Sequence, residues 1–208
     1  MDGRIIHGIS VVKGYSGIGG PYKEVGIVMG PGHESDKWEG LQGVDSFFPY
    51  KVGDKWYAIY GSANTEQLPI KRWANGMAFS KSINHGWKRM TDKNPQEFEP
   101  VFIENQVVTE IPGKGWISVY DNNVDNTFGW AYSADGINWK RGNPVAVTKG
   151  EQGWAKEMRT PLGLVHEGGN KYTVFYTAFK DVADWEGLFN NKPFNTHGAI
   201  GFVEVLLQ

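Results

Sequence analysis

Cysteine is absent from the 208 residues, which excludes disulfides and thiolate metal ligands and says little about compartment. No apolar run approaches the roughly 20 residues that cross a bilayer as a helix, so no membrane partner is expected. No basic-then-apolar segment opens the chain. The compartment therefore stays open, extracellular or periplasmic if a signal segment has been removed. An excess of one charge is missing too: 21 basic residues face 23 acidic ones, leaving no electrostatic footprint for nucleic acid. What the chain has in quantity is glycine, 28 residues, and tryptophan, 9 residues. Glycine supplies turns, and tryptophan supplies flat surfaces that pack sheets or stack on sugars. At this length one domain with a sizeable core is expected.

One stretch organises the rest. Ile103 to Trp139 opens with Glu104 at the head of a β-rich run and turns at Pro112-Gly113-Lys114-Gly115. It returns through Trp116 to Tyr120, crosses an Asn/Asp-rich loop, and runs from Phe128 to Ser133 before the turn Asp135-Gly136 and Trp139. Short strands divided by turn residues predict antiparallel hairpins and no helix.

The neighbouring segments are worn copies of this unit. Met1-Asp2-Gly3 reads as a turn, Ile5 to Val12 as a strand, Gly17 to Tyr22 as a turn and Val25 to Met29 as a strand. Asp45 heads the next copy, which turns at Gly53-Asp54 and returns through Lys55 to Gly61. The last copy enters at Met158-Arg159-Thr160-Pro161, turns at Gly168-Gly169-Asn170, and ends in Gly198 to Leu206 after a long loop. Gly8, Gly76, Gly129 and Gly198 each head a similar strand, and Tyr60, Tyr120 and Tyr176 close the strand before it at nearly even intervals. Repetition at this period, about four strands per unit, is that of a propeller blade; a β-sandwich would not repeat it. The expected division is a partial blade and loop at 1–43, then blades at 44–97, 98–157 and 158–208. That is an all-β propeller of about three and a half blades in a single domain.

V-D-S-F-F, a turn and K-W-Y-A-I-Y-G, followed by G-W-A-Y-S-A-D-G-I-N-W, resemble the five-bladed propeller glycoside hydrolases, chiefly family 43, with family 32 as relatives. The resemblance covers essentially the whole chain and implies three carboxylates converging on the propeller axis, one per successive blade. They are a general base, an aspartate that tunes and orients, and a glutamate general acid. Asp45 resembles the second-blade aspartate and Glu104 the third-blade acid, while Arg159 stands where the next blade enters and could contact substrate or the acid. The base belongs on the blade before Asp45, and no residue of this chain is assigned to it. Family 43 resemblance implies inversion and family 32 retention.

The chemistry explains the residue types. Glycosidic cleavage needs a carboxylic acid to protonate the leaving oxygen and a carboxylate to activate water or attack directly. A nearby carboxylate and partial burial keep the acid protonated. Taken alone, Asp45 could simply bind loop N–H groups, Glu104 could be a solvated edge charge like Glu110, and Arg159 a structural ion-pair partner. His33, in G-P-G-H, resembles a glycine-histidine motif that holds an axial metal in some relatives. Its register differs, so it reads as a loop histidine beside substrate. His7 and His197 read as packing residues, and Trp56, Trp116 and Trp139 as inter-blade core. Trp38 and Trp154 precede inner strands and are the candidate sugar platforms.

The expected function is carboxylate hydrolysis of an oligo- or polysaccharide. The alternatives are a non-catalytic propeller binding carbohydrate or protein, or an inactive fragment of a longer glycosidase. No cofactor and no metal ligand set is assigned, although the resemblance admits a structural calcium near the axis. An unclosed ring leaves sheet edges to be covered by an oligomer or a partner supplying missing strands.

Overall fold

The computed structural model describes residues 6–11, 22–40, 43–63, 72–100, 102–124, 127–147 and 153–207. The turn expected at 1–3 and residues 17–21 of the turn expected from Gly17 to Tyr22 fall outside these residues, and Tyr22 itself opens a strand. The chain divides into two compact units, Met1–Val101 and Phe102–Gln208. Among the described residues, antiparallel strands make up nearly all the regular structure, and no helix is long and apolar enough to cross a membrane.

In the first unit β1 (Ile6–Val11) pairs with β2 (Tyr22–Met29). A four-stranded sheet follows in chain order: β3 (Asp45–Val52), β4 (Lys55–Ala63), β5 (Trp73–Ser80) and β6 (Lys88–Arg89). Gly53 closes the β3–β4 hairpin with φ +60°, a conformation that residues with a side chain avoid. Strand alternation then sorts the faces. Ala58, Tyr60 and Ala78 join Met29, Val44 and Trp87 in a core, against which Val28, Trp38, Phe47 and Trp56 pack. Loop 30–40 is fastened to this sheet by a buried ion pair. Glu39 accepts from Arg89 Nε at 2.6 Å and Nη2 at 2.8 Å, and from the Tyr60 hydroxyl at 2.9 Å. Burial, reinforced by the Glu39 charge, pushes the Tyr60 phenol far above its ordinary pKa.

In the second unit β7 (Glu104–Ile111), β8 (Gly115–Asp121), β9 (Thr127–Ser133) and β10 (Lys140–Arg141) form one sheet, with β11 (Val145–Ala146) also pairing to β9. β12 (Glu157–Gly168), β13 (Lys171–Phe179) and β14 (Gly198–Leu206) form the other. The two sheets face each other where Phe128 meets Tyr176 edge-on, ring centroids 5.4 Å apart. On the opposite face of β13 and β14, Phe175, Ile200 and Phe202 are exposed. The loop between β13 and β14 holds one short helix, α1 (Trp185–Phe189), capped by Asp184, whose Oδ1 accepts the Gly187 N–H at 2.8 Å.

The tyrosine repeat has a structural cause. Tyr60 lies opposite Gly76, Tyr120 opposite Gly129 and Tyr176 opposite Gly201. At Gly76 and Gly129 the tyrosine ring takes space a Cβ would need, a methyl at Gly129 standing 2.0 Å from Tyr120 Cε2, whereas at Gly201 the atoms in the way are those of Trp154. In the last blade Gly198 heads β14, as expected. It pairs with Phe179 at the strand's start, and Gly201 faces the tyrosine. His197, expected to pack, is exposed; Trp139 is buried as expected, at 8% exposure.

The turn after β9 rests on Asp135. Its Oδ1 accepts from the Ile137 N–H at 2.9 Å, the Asn138 N–H at 2.8 Å and Ser133 Oγ at 2.9 Å, and its Oδ2 from Asn138 Nδ2 at 2.6 Å. Burial alone would raise this carboxyl, but the four hydrogen bonds outweigh it and hold the group well below the carboxylate range. A depressed carboxyl stabilises the fold above its unfolded pKa and loses that contribution as pH falls toward the folded value. Asp135→Asn is therefore expected to cost about 1 kcal/mol at pH 7, after allowance for solvent screening, and progressively less below about pH 4. Urea unfolding of both proteins across that range checks it; a difference independent of pH would refute the charge argument.

Candidate active site

The two carboxylates singled out by sequence occupy the same local structure. Asp45 is the first residue of β3 and lies opposite Gly61; Glu104 is the first residue of β7 and lies opposite Asp121. The residue after each is left-handed, Ser46 at φ +48° and Asn105 at φ +54°. The pairing then slips, between Asp45 and Phe48 in one sheet and between Glu104 and Val107 in the other. Neither Ser46 nor Asn105 is glycine, so each costs of order 1 kcal/mol of backbone strain. A bulge re-aims the side chains beside it and is a recurrent device at functional sites. Building the same strained head twice, each time on a half-buried carboxylate, ties the fold's irregularity to these two residues. Asp45 Oδ1 accepts the Ser46 N–H at 2.7 Å, which fixes one oxygen of the carboxylate.

Within each unit the surroundings are polar and buried. In the first, the cross-strand row Asp45–Gly61 continues to Asn75 on β5. Asn75 is fully buried and neither atom of its amide finds a hydrogen-bond partner in the protein. In the second, Asp121 is 5% exposed and its Oδ1 accepts the Asn123 N–H at 2.8 Å. Gln106, two residues past Glu104, is 2% exposed with both amide atoms unpartnered. Leaving such groups unpaired costs about 1–3 kcal/mol each, and they are the polar capacity with which a site meets a ligand. Sequence reasoning missed Asn75, Gln106 and Asp121. The available signal was a polar side chain interrupting apolar strand residues, in N-G-M-A-F and E-N-Q-V-V.

Arg159 lies on β12 where pairing slips between Met158 and Thr160, a third irregularity at a blade entrance, and its side chain falls outside the described residues. Trp38 lies on Tyr60, ring centroids 5.6 Å apart, with its Cζ2 2.6 Å from where a Gly76 Cβ would stand. Trp154 stacks on Tyr176 at 5.6 Å and covers Gly201 in the same way. Both tryptophans therefore cap a tyrosine–glycine pair, a packing task that sequence alone did not disclose. His33 is 94% exposed, with its Nε2 3.9 Å from Glu34 Oε1. Among the described residues no cluster of three or more His, Asp or Glu is placed to hold a metal ion.

No protein-family model and no curated protein sequence matches the chain. Solved structures do. The chain is similar to a thermostable family-43 glycoside hydrolase, at 14% identity and a TM-score of 0.60, over 88% of this chain and 60% of that one. It is also similar to an endo-arabinase from Bacteroides thetaiotaomicron, at 10% identity and a TM-score of 0.57, over 90% of this chain and 68% of that one. A family 117 glycoside hydrolase, Zg3597, produced by the marine bacterium Zobellia galactanivorans, matches at 13% identity and a TM-score of 0.56, over 97% of this chain and 60% of that one. Other structures of this fold are spanned over only 49% of their length. The fold is that of the five-bladed β-propeller glycosidases, present here in part.

Proposed function

We propose that the chain is a glycoside hydrolase in which Glu104 of the second unit acts as the general acid and Asp45 of the first as the orienting carboxylate. The observation that supports this most is the repeated strand head: carboxylate, left-handed residue and bulge at Asp45 and again at Glu104. Glu104 protonates the glycosidic oxygen as the bond breaks. Asp121 lies directly across the ladder from it. Arg159, His33 and the uncovered edges of Trp38 and Trp154 contact the sugar. Arabinosyl substrates are the first to try, since an endo-arabinase and α-L-arabinofuranosidases share the fold. In the working assembly, protein covers the exposed Phe175, Ile200 and Phe202.

A second reading, a carbohydrate-binding propeller without catalysis, is favoured by one fact: no residue of the chain is assigned as the base. Azide separates the two, because it attacks the anomeric carbon without needing a base while an activated aryloxide leaves without needing an acid. Dinitrophenyl arabinosides, xylosides, galactosides and fructosyl substrates are assayed with and without azide. Glycosyl azide formation, stimulated about 10²-fold over hydrolysis, is the expected result. Binding with no turnover under any condition selects the second reading, and no binding at all removes both.

A further inference from the structure

The second unit contains a cleft unrelated to the carboxylate heads. It lies at the hairpin end of its strands, by Pro112 between β7 and β8 and Asn170 between β12 and β13. Glu104 and Ile111 are the two ends of β7, an eight-residue strand, so this cleft and the acid are separated by roughly 20 Å along it. The cavity holds about 630 Å³, within the range of small-molecule sites. Ile117, Trp130 and Tyr132 come from one sheet, His166 and Tyr172 from the other.

Most of the polar atoms there are already committed. Trp130 Nε1 donates to the Asn143 carbonyl at 2.7 Å, the Tyr132 hydroxyl to the Lys114 carbonyl at 2.6 Å, and Asn170 Nδ2 to the Leu207 carbonyl at 2.9 Å. His166 Nε2 is 3.0 Å from the Gly169 carbonyl, which makes it the donor and leaves Nδ1 as an acceptor. Tyr172 is the exception. It is 0% exposed, lines the cavity, stacks on His166 at 4.8 Å, and its hydroxyl has no hydrogen-bond partner. A buried phenol without a partner is a cost the fold need not carry, since phenylalanine would fill the same space. A second cleft of about 420 Å³ shares Ile117, Trp130 and Leu207 and is otherwise lined by aliphatic side chains, among them Val119 and Val174, and by Phe128.

We infer that this paired cleft binds an uncharged amphiphile: a hydroxyaryl ring held among Trp130, Tyr132 and Tyr172, with a short apolar chain lying along Ile117 and Val174. Four ring-bearing side chains on the wall suit stacking with a flat aromatic ring. The one unspent hydroxyl and the His166 acceptor together match a single ring hydroxyl, which can accept from the first and donate to the second.

The test is isothermal titration of the 208-residue chain with 4-butylphenol, butylbenzene and butyl glucoside. The phenol is expected to bind, butylbenzene more weakly, and butyl glucoside weakest. Tyr172→Phe should reduce the affinity for the phenol about 3- to 10-fold and leave butylbenzene unchanged, while the folded protein loses no thermal stability. Ile117→Trp, which fills the shared wall, should abolish binding of both; circular dichroism confirms that it folds, and Val174→Phe serves the same purpose if it does not. Absence of phenol binding overturns the inference, as does tighter binding of the glucoside. Equal loss of phenol and butylbenzene in Tyr172→Phe would also overturn it, since the hydroxyl would then have no part in recognition.

Discussion

Arg89→Ala is expected to destabilise the first unit by about 3–5 kcal/mol, more than any surface change in the chain. The reason is what the substitution leaves behind. Glu39 is fully buried, and Arg89, 8% exposed at its side chain, meets it with a two-point ion pair. Arg89 also donates to the Gly30 carbonyl at 3.0 Å and to Ser35 Oγ at 3.3 Å, so one side chain fastens both ends of the loop. Burial works against its charge, but the Glu39 hydrogen bond and charge outweigh that and hold its proton more firmly than in water. Beside the pair, Asp36 accepts from Thr91 Oγ1 at 2.7 Å and Asn94 Nδ2 at 3.0 Å, which extends the network to the turn after β6. Removing Arg89 strands a carboxylate with no solvent to accept it. Replacing both partners with apolar residues, Glu39→Leu with Arg89→Met, should restore most of the loss, because the desolvation cost disappears with the charges. Denaturant unfolding of the two single variants and the double variant checks this. A double variant as unstable as the sum of the singles would show that the loop depends on the hydrogen bonds and not on charge compensation.

That network shows where sequence reading stops. Glu39 and Arg89 are far apart in the chain, and neither carries a local pattern; only the folded loop brings them together. The blades were legible because strand period, turn glycines and the spacing of Tyr60, Tyr120 and Tyr176 are local signals. The repeated glycines and tyrosines were legible, but which glycine lies opposite which tyrosine was not. β14 holds two glycines three positions apart, and only the full ladder with β13 shows that Gly198 faces Phe179 and Gly201 faces Tyr176. Asp45 and Glu104 could be placed at strand heads by register. Their left-handed neighbours could not, because Ser46 and Asn105 do not announce a positive φ as glycine does. Trp38 and Trp154 were correctly placed ahead of their strands, but their contacts with tyrosine–glycine pairs depend on how the preceding loop folds back. Asn75 and Gln106 read as ordinary strand residues until burial and missing partners set them apart.

Glu104→Gln is expected to lower azide-driven turnover by about 10²–10⁴-fold for glycosides with poor leaving groups, the usual contribution of a positioned general acid. Gln106 and Asp121 keep the site polar, so the change removes a proton and little else. The loss should depend on the leaving group, because dinitrophenolate departs unassisted and an alkoxide does not. Asp45→Asn, by contrast, should depress turnover for every leaving group, since an orienting carboxylate does not transfer the proton. Folding of both variants is checked by their unfolding midpoints.

The role of Glu104 as the general acid is tested most directly by one measurement. The azide-driven rate of arabinoside cleavage is followed for the parent chain and Glu104→Gln across a series of leaving groups from dinitrophenol to simple alcohols. The expected result is two lines that meet at the most acidic leaving group and diverge steadily toward the alcohols, with Glu104→Gln falling away. Parallel lines, or a Glu104→Gln variant indistinguishable from the parent throughout, would contradict the assignment of Glu104 as the acid.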